Sequence, residues 1–280
     1  MRFVVVGSHG YWGSKLTRVI RELGHELAGE INLPANGADL VGSYAGRADA
    51  VIIATPAETH SAIAERALCA GLDVLIEKPA AMSVRRMSDL GRLALSESRV
   101  FSMDSTFVHT AALAKLRDLE SPVRVYQSLR LADGPEMATP VGWDLVVHDV
   151  AILHALGCLD PRLPRGFGHT APDGNVATAS IPLVFNGRAE ILASRAWPRK
   201  VRSICLICEN GDRFIWDETG LHRWDGAIVK LIVAEAEEPL KRVLNDFVIR
   251  CTGRRMRGLT DISHATSVVS WLESLFGQGE

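Results

Sequence analysis

Three groups of residues in this chain of 280 have the types and spacing to do chemistry. The first is Glu77-Lys78-Pro79, directly after the apolar run Val74 to Ile76. An ammonium at the end of a buried strand can polarise a hydroxyl or carbonyl oxygen, and partial burial lowers its pKa towards proton exchange. A solvated loop is the ordinary alternative for a lysine. The second group is Gly142-Trp143-Asp144-Leu145-Val146-Val147-His148-Asp149. On a helix, Asp144 and His148 stand one turn apart on one face, where a carboxylate orients an imidazole and raises its pKa. Plain helix support and half of a metal site are the alternatives, but no third or fourth ligand follows, and no metal is expected. The neighbours Leu145, Val146, Val147, Val150 and Ile152 are apolar, so the helix is expected to be buried. Titratable groups in a buried helix favour a functional role. The third group is Gly7-Ser8-His9-Gly10-Tyr11-Trp12-Gly13, between the β-branched run Phe3 to Val6 and a helical pattern from Ser14 to Leu23. Glycines let the backbone approach a pyrophosphate, and a helix N-terminus stabilises its charge. One residue more than in G-x-G-x-x-G separates the first two glycines.

These groups need a scaffold, and the hydrophobic pattern supplies one. Buried strands are expected at Phe3–Val6, Asp49–Ala54 and Val74–Ile76, and further strands at His25–Ile31 and Val100–Met103, with helices after most of them, among them a short one at Ala38–Tyr44. Alternation of this kind predicts an α/β Rossmann domain, a doubly wound parallel sheet, over residues 1–120. Ligands of such sheets bind at the carboxyl ends of the strands. That edge receives the glycine turn, Thr55-Pro56 with His60 close behind, Glu77-Lys78, and Asp104-Ser105-Thr106. Residues 121–280 read as an α+β domain with an open, mainly antiparallel sheet. Asn186-Gly187 and Asn210-Gly211 mark hairpins there, and two helices, Pro239–Arg250 and Asp261–Phe276, close the chain.

Composition narrows the function classes. Thirty-one Lys and Arg against 33 Asp and Glu give a net charge of −2, which points to no nucleic-acid or membrane-surface partner. No apolar run approaches the ~20 residues that span a bilayer. Five cysteines without framework spacing, and no signal-peptide pattern, lead to the expectation of a cytoplasmic protein. Cys205 and Cys208 form a C-x-x-C inside an expected strand, where residues three apart face opposite ways. Arg254, Arg255 and Arg257 read as a solvated loop.

Gly7 to Gly13, Thr55-Pro56-Ala57-Glu58-Thr59-His60, Glu77-Lys78-Pro79, Asp104-Ser105-Thr106-Phe107 and Trp143-Asp144-x-x-x-His148-Asp149 together resemble one family. It is the glucose-fructose oxidoreductase, inositol dehydrogenase and rhizopine catabolism family, and the motifs occur in its order. The resemblance implies an NAD(P)-dependent oxidoreductase acting on a small molecule, namely a sugar, polyol or nucleotide-linked sugar. It implies catalytic roles for Lys78, Asp144 and His148, which in the family flank the reacting carbinol. It further implies a cofactor held by Gly7–Gly13, the Thr55-Pro56 and Glu77-Lys78 turns, and His60. The family's open sheet usually packs on another subunit, implying a homo-oligomer, dimer or tetramer. Register places Asn32 where the family often has aspartate, with Glu30 the nearest acid. A carboxylate there repels a 2′-phosphate, and no arginine lies between Glu30 and Tyr44, which points to NAD rather than NADP. A same-fold reductase of an imine or keto intermediate, and a dinucleotide-binding sensor without turnover, remain as alternatives.

Overall fold

The structure is a computed structural model that describes residues 1–32, 39–134, 138–160 and 165–279. The chain divides into two compact units. The first comprises Met1–Thr106 and Glu238–Val269, and the second Phe107–Glu237 and Ser270–Gly279. The boundary expected at residue 120 thus falls earlier, and the first unit recruits a late segment. The reason is packing. Leu240, Val243, Leu244 and Phe247, one apolar stripe of a late helix, complete the core under the first strand and first helix.

In the first unit, strands β1 (Arg2–Val6), β2 (Glu26–Ile31), β3 (Ala50–Ile53), β4 (Asp73–Glu77) and β5 (Phe101–Asp104) form a sheet of order β2-β1-β3-β4-β5. All four pairings are parallel. Phe3 to Val6 are wholly buried, as an unbroken β-branched run requires when both faces are covered. Helices α1 (Tyr11–Glu22), α2 (Ala57–Cys69) and α3 (Val84–Ser96) follow β1, β3 and β4. β2 and β3 lie on opposite sides of β1, so the strand order reverses where the glycine turn emerges. That reversal is the switch point at which open α/β sheets hold ligands. Of the short helix expected at Ala38–Tyr44, Ala38 lies outside the described residues, while Gly42–Tyr44 is a 3-10 turn.

The second unit contains α4 (Ala111–Arg117), β6 (Val123–Asp133), a π-helical turn Gly142–Val146 leading into α5 (Val147–Ala155), and strands β7 to β13. The strands are β7 (Phe167–Thr170), β8 (Val176–Leu183), β9 (Gly187–Ser194), β10 (Ala196–Cys208), β11 (Arg213–Asp217), β12 (Gly220–Trp224) and β13 (Val229–Val233). Their order is β13-β12-β11-β10-β6-β9-β8-β7, antiparallel throughout except for the β6–β9 pair. The Asn186-Gly187 and Asn210-Gly211 turns join antiparallel neighbours as expected. Burial alternates along β8, leaving one sheet face covered and the other open. Cys208 is buried and Cys205 half-exposed, the opposite orientations read from their spacing. Helices α6 (Pro239–Thr252) and α7 (Ile262–Phe276) end the chain. No helix among the described residues is long and apolar enough to cross a membrane.

Candidate active site

The glycine turn shows how the additional residue is accommodated. Gly7 leaves β1 at φ 86°, and a Cβ there would lie 2.4 Å from the Ala54 carbonyl oxygen. The Gly10 N–H donates to the Gly7 carbonyl at 3.0 Å, closing a compact turn before α1 begins. Gly13 then sits so close to the strand end that a Cβ would lie 2.0 Å from the Gly7 oxygen. The first and third glycines therefore serve turn and close approach, whatever the spacing of the second. No side chain caps α1, and its first turn holds no acidic residue. Backbone donors and a positive helix end are left for an anion, so these residues fit a dinucleotide pyrophosphate.

Asn32 braces this turn. Its Oδ1 accepts from Ser8 Oγ at 2.7 Å and from the His9 N–H at 3.1 Å. Glu30 is less committed, with Arg21 at 3.1 Å and Ser8 Oγ at 3.4 Å. Arg21 precedes Glu30 in the sequence and reaches it from the end of α1, so the stretch from Glu30 to Tyr44 does not disclose it. His60 is buried and clasps two turns, its Nδ1 2.8 Å from the Pro79 oxygen and its Nε2 2.8 Å from the Thr55 oxygen. Burial lowers its pKa, and the two carbonyls oppose that. The ring thus supports the Thr55-Pro56 and Lys78-Pro79 turns. Tyr11 and Trp12 stand exposed on the first turn of α1 and pack edge to face.

Lys78 is half-exposed at the end of β4, and its peptide to Pro79 is cis. Its N–H donates to Glu77 Oε2 at 3.2 Å. Opposite Glu77 in the sheet register stands Asp104, 2 % exposed. Thr106 Oγ1 donates to Asp104 Oδ1 at 2.8 Å, while Oδ2 has no hydrogen-bond partner among the described residues. Burial pushes the Asp104 carboxyl up to about 6, with the Thr106 hydroxyl and the Lys78 charge opposing. A raised folded-state pKa means that this stabilisation is present below the unfolded value and is lost as pH rises through 6. Asp104→Asn removes the titration, so the variant should gain on the wild type between about pH 4 and pH 6, by up to about 3 kcal/mol. Urea unfolding at pH 4, 6 and 8 checks this, and a pH-independent difference overturns it.

In the second unit, Asp144 and His148 are half-exposed while Asp149 is fully buried. Arg195, 6 % exposed, grips Asp144 Oδ2 through Nη2 at 3.0 Å and Nε at 3.3 Å, and also bonds the Thr139 carbonyl. An arginine from the end of β9 therefore fixes the carboxylate, a partner that the helix spacing alone did not disclose. Phe107 meets the His148 ring edge-on at 4.9 Å. The buried C-terminal neighbour Asp149 takes Arg130 and Tyr126 on its two oxygens. The turn that carries Asp144 is π-helical, a form often found at functional sites. Arg254 is exposed, as expected of a solvated loop, while its guanidinium also reaches buried Asp73 at 3.1 Å. Among the described residues no cluster of three His, Cys, Asp or Glu forms a metal-binding group.

The first unit is thus a Rossmann fold with a dinucleotide-type glycine turn at its switch point. Residues 30–105 match the model of the GFO/IDH/MocA family, described as an oxidoreductase family with an NAD-binding Rossmann fold. That match falls in the family that the five ordered motifs resemble. A curated relative, the UDP-N-acetylglucosamine 3-dehydrogenase of Acidithiobacillus ferrooxidans, is 29% identical over 167 residues. That match spans 58% of this chain and 53% of the relative, about half its length. The solved structure of that name from the same organism superposes with a TM-score of 0.84 at 23% identity, covering 100% of this chain and 98% of the other. An inositol dehydrogenase homologue from Azotobacter vinelandii, complexed with NADH and myo-inositol, gives 0.77 at 16% identity over 98% and 94%. At these identities the structural matches establish the fold.

Proposed function

We propose that the protein is an NAD-dependent dehydrogenase or reductase of a sugar, polyol or nucleotide-linked sugar. The observation that carries this reading is the joint occurrence of the glycine turn at the sheet's switch point and Glu77-Lys78-Pro79 at the end of β4. Gly7 to Gly13 hold the pyrophosphate, Thr55-Pro56 and Glu77-Lys78 border the cofactor, and Lys78, Asp144 and His148 serve the reaction. Bound NAD supplies the acceptor or donor of hydride. This chain's residues position the carbinol and move its hydroxyl proton, which passes to Lys78 Nζ or to the His148 ring. Asp144, held by Arg195, keeps its orientation beside that chemistry. Incubation with NAD and UDP-N-acetylglucosamine, myo-inositol and related sugars, followed at the absorbance of NADH, tests the reading. Tight NADH binding without turnover across the panel supports the sensor reading instead.

Cofactor choice rests on Glu30. A carboxylate bonded to a ribose hydroxyl is a charged hydrogen bond, so Glu30→Ala should weaken NAD about tenfold or more. The same change frees Arg21 for a 2′-phosphate and should narrow the preference over NADP. Calorimetry with both cofactors checks it. A loss seen in Asn32→Ala but not in Glu30→Ala moves the ribose contact to Asn32.

We also read the open face of the eight-stranded sheet as the surface that joins subunits, since Leu129 and Ile207 stand 42% and 37% exposed on adjacent strands there. Light scattering should give a dimer or tetramer, and Leu129→Glu should lower the mass. A monomer at micromolar concentration overturns this.

A further inference from the structure

Three arginines of the second unit, Arg195, Arg130 and Arg202, differ in how their charge is met. Arg195 holds Asp144 and Arg130 holds Asp149. Arg202, on β10, stands directly opposite Arg130 on β6, a like-charged cross-strand pair that costs stability unless compensated. Among the described residues no carboxylate forms an ion pair with Arg202. The acidic groups that act on it from β11 and its turn are engaged elsewhere, Asp217 by Thr219 and His222 and Glu218 by Lys200 at 3.5 Å. Burial, followed by Arg130, lowers the Arg202 pKa, and the charges of Glu218 and Asp217 oppose that without reversing it.

The guanidinium nevertheless has a fixed place. It lies over the Phe107 ring, 4.9 Å from the centroid, and Arg130 lies over the same ring at 4.5 Å. That ring touches His148 edge-on. One aromatic side chain thus connects an uncompensated, half-buried cation to the histidine assigned to proton transfer. A planar guanidinium held by ring stacking is preorganised for an oxyanion, which it binds through two parallel N–H donors.

We infer that the substrate carries an oxyanion, a phosphate or a carboxylate, which Arg202 binds beside His148. This rests on the dehydrogenase reading and narrows it from neutral polyols to anionic sugar derivatives. The test is calorimetric titration of the wild type, Arg202→Gln and Arg202→Lys with UDP-N-acetylglucosamine, glucuronate and myo-inositol, with NAD as control. One anionic probe should bind the wild type about tenfold or more tightly than Arg202→Gln, with Arg202→Lys between them, because the lysine keeps the charge without the fork. The diphosphate probe and the carboxylate probe tell the two sources apart. Myo-inositol and NAD should bind all three proteins alike. If neither anionic probe binds, if both bind wild type and Arg202→Gln equally, or if the loss extends to NAD, the inference is overturned. Turnover is read separately. Arg202-dependent binding without NAD reduction removes the dehydrogenase reading alone. Oxidation of myo-inositol at equal rates in wild type and Arg202→Gln keeps that reading and removes this one.

Discussion

Asp149→Ala is expected to cost about 3–5 kcal/mol of folding stability, because it strands a buried guanidinium without its counter-charge. Asp149 is 0% exposed, and three donors converge on its carboxylate. Arg130 Nε lies 2.5 Å from Oδ2, while Arg130 Nη2 at 3.2 Å and the Tyr126 hydroxyl at 2.6 Å approach Oδ1. Arg130 and Tyr126 belong to β6 and Asp149 to α5, so the cluster also ties the helix of Asp144 and His148 to the sheet. Removing the carboxylate leaves Arg130, 5% exposed, over the Phe107 ring and opposite the like charge of Arg202. Asp149→Asn keeps the shape but turns an amide donor or a weaker acceptor towards the guanidinium, and should lose most of the same stability. Tyr126→Phe, which removes a single neutral donor, should cost nearer ~1 kcal/mol. Urea unfolding followed by tryptophan fluorescence gives the three values. An Asp149→Ala cost no greater than that of Tyr126→Phe would show that water or relaxation compensates the charge.

That cluster also marks what could be read from the sequence. Phe3–Val6, the glycine turn and the strand ends at Thr55 and Lys78 were legible because each is a local pattern. A buried parallel strand is continuously apolar, and the turn after it needs residues that tolerate close backbone approach. Asp149 was visible as part of the helix motif, but its partner Arg130 lies 19 residues away on a strand whose alternation is only partly polar. Nothing in the spacing distinguishes an arginine pointing inward from one at the surface. For that reason Arg195, Arg130 and Arg202 were all missed, although they set the charge around Asp144 and His148. The division into units was misread on similar grounds. The apolar stripe of α6 fits any core, and only the fold shows that Leu244 and Phe247 complete the one beneath β1. Short strands such as β7 and β12, of 4 and 5 residues, are too brief for periodicity to separate them from loops.

The largest expected change in activity belongs to Lys78. Lys78→Ala should lower kcat by about 10²–10⁴, the usual contribution of a positioned proton donor or acceptor, while leaving NAD affinity nearly unchanged. The side chain extends from a turn that Glu77 and His60 hold in place, so truncation removes the ammonium without removing the support of the turn. Lys78→Met, which preserves length and apolar contact, should fall as far as the alanine variant if charge or proton transfer is what matters. Unchanged turnover in both variants would end the assignment. His148→Gln distinguishes the two groups proposed to handle the proton. If one of them is the base and the other only polarises the oxygen, the base variant should lose the ionisation that limits kcat at low pH, and the other should keep it. If both share one proton path, the double variant should be little worse than the poorer single variant, because residues acting as a unit are not additive. Independent roles predict that the two losses multiply.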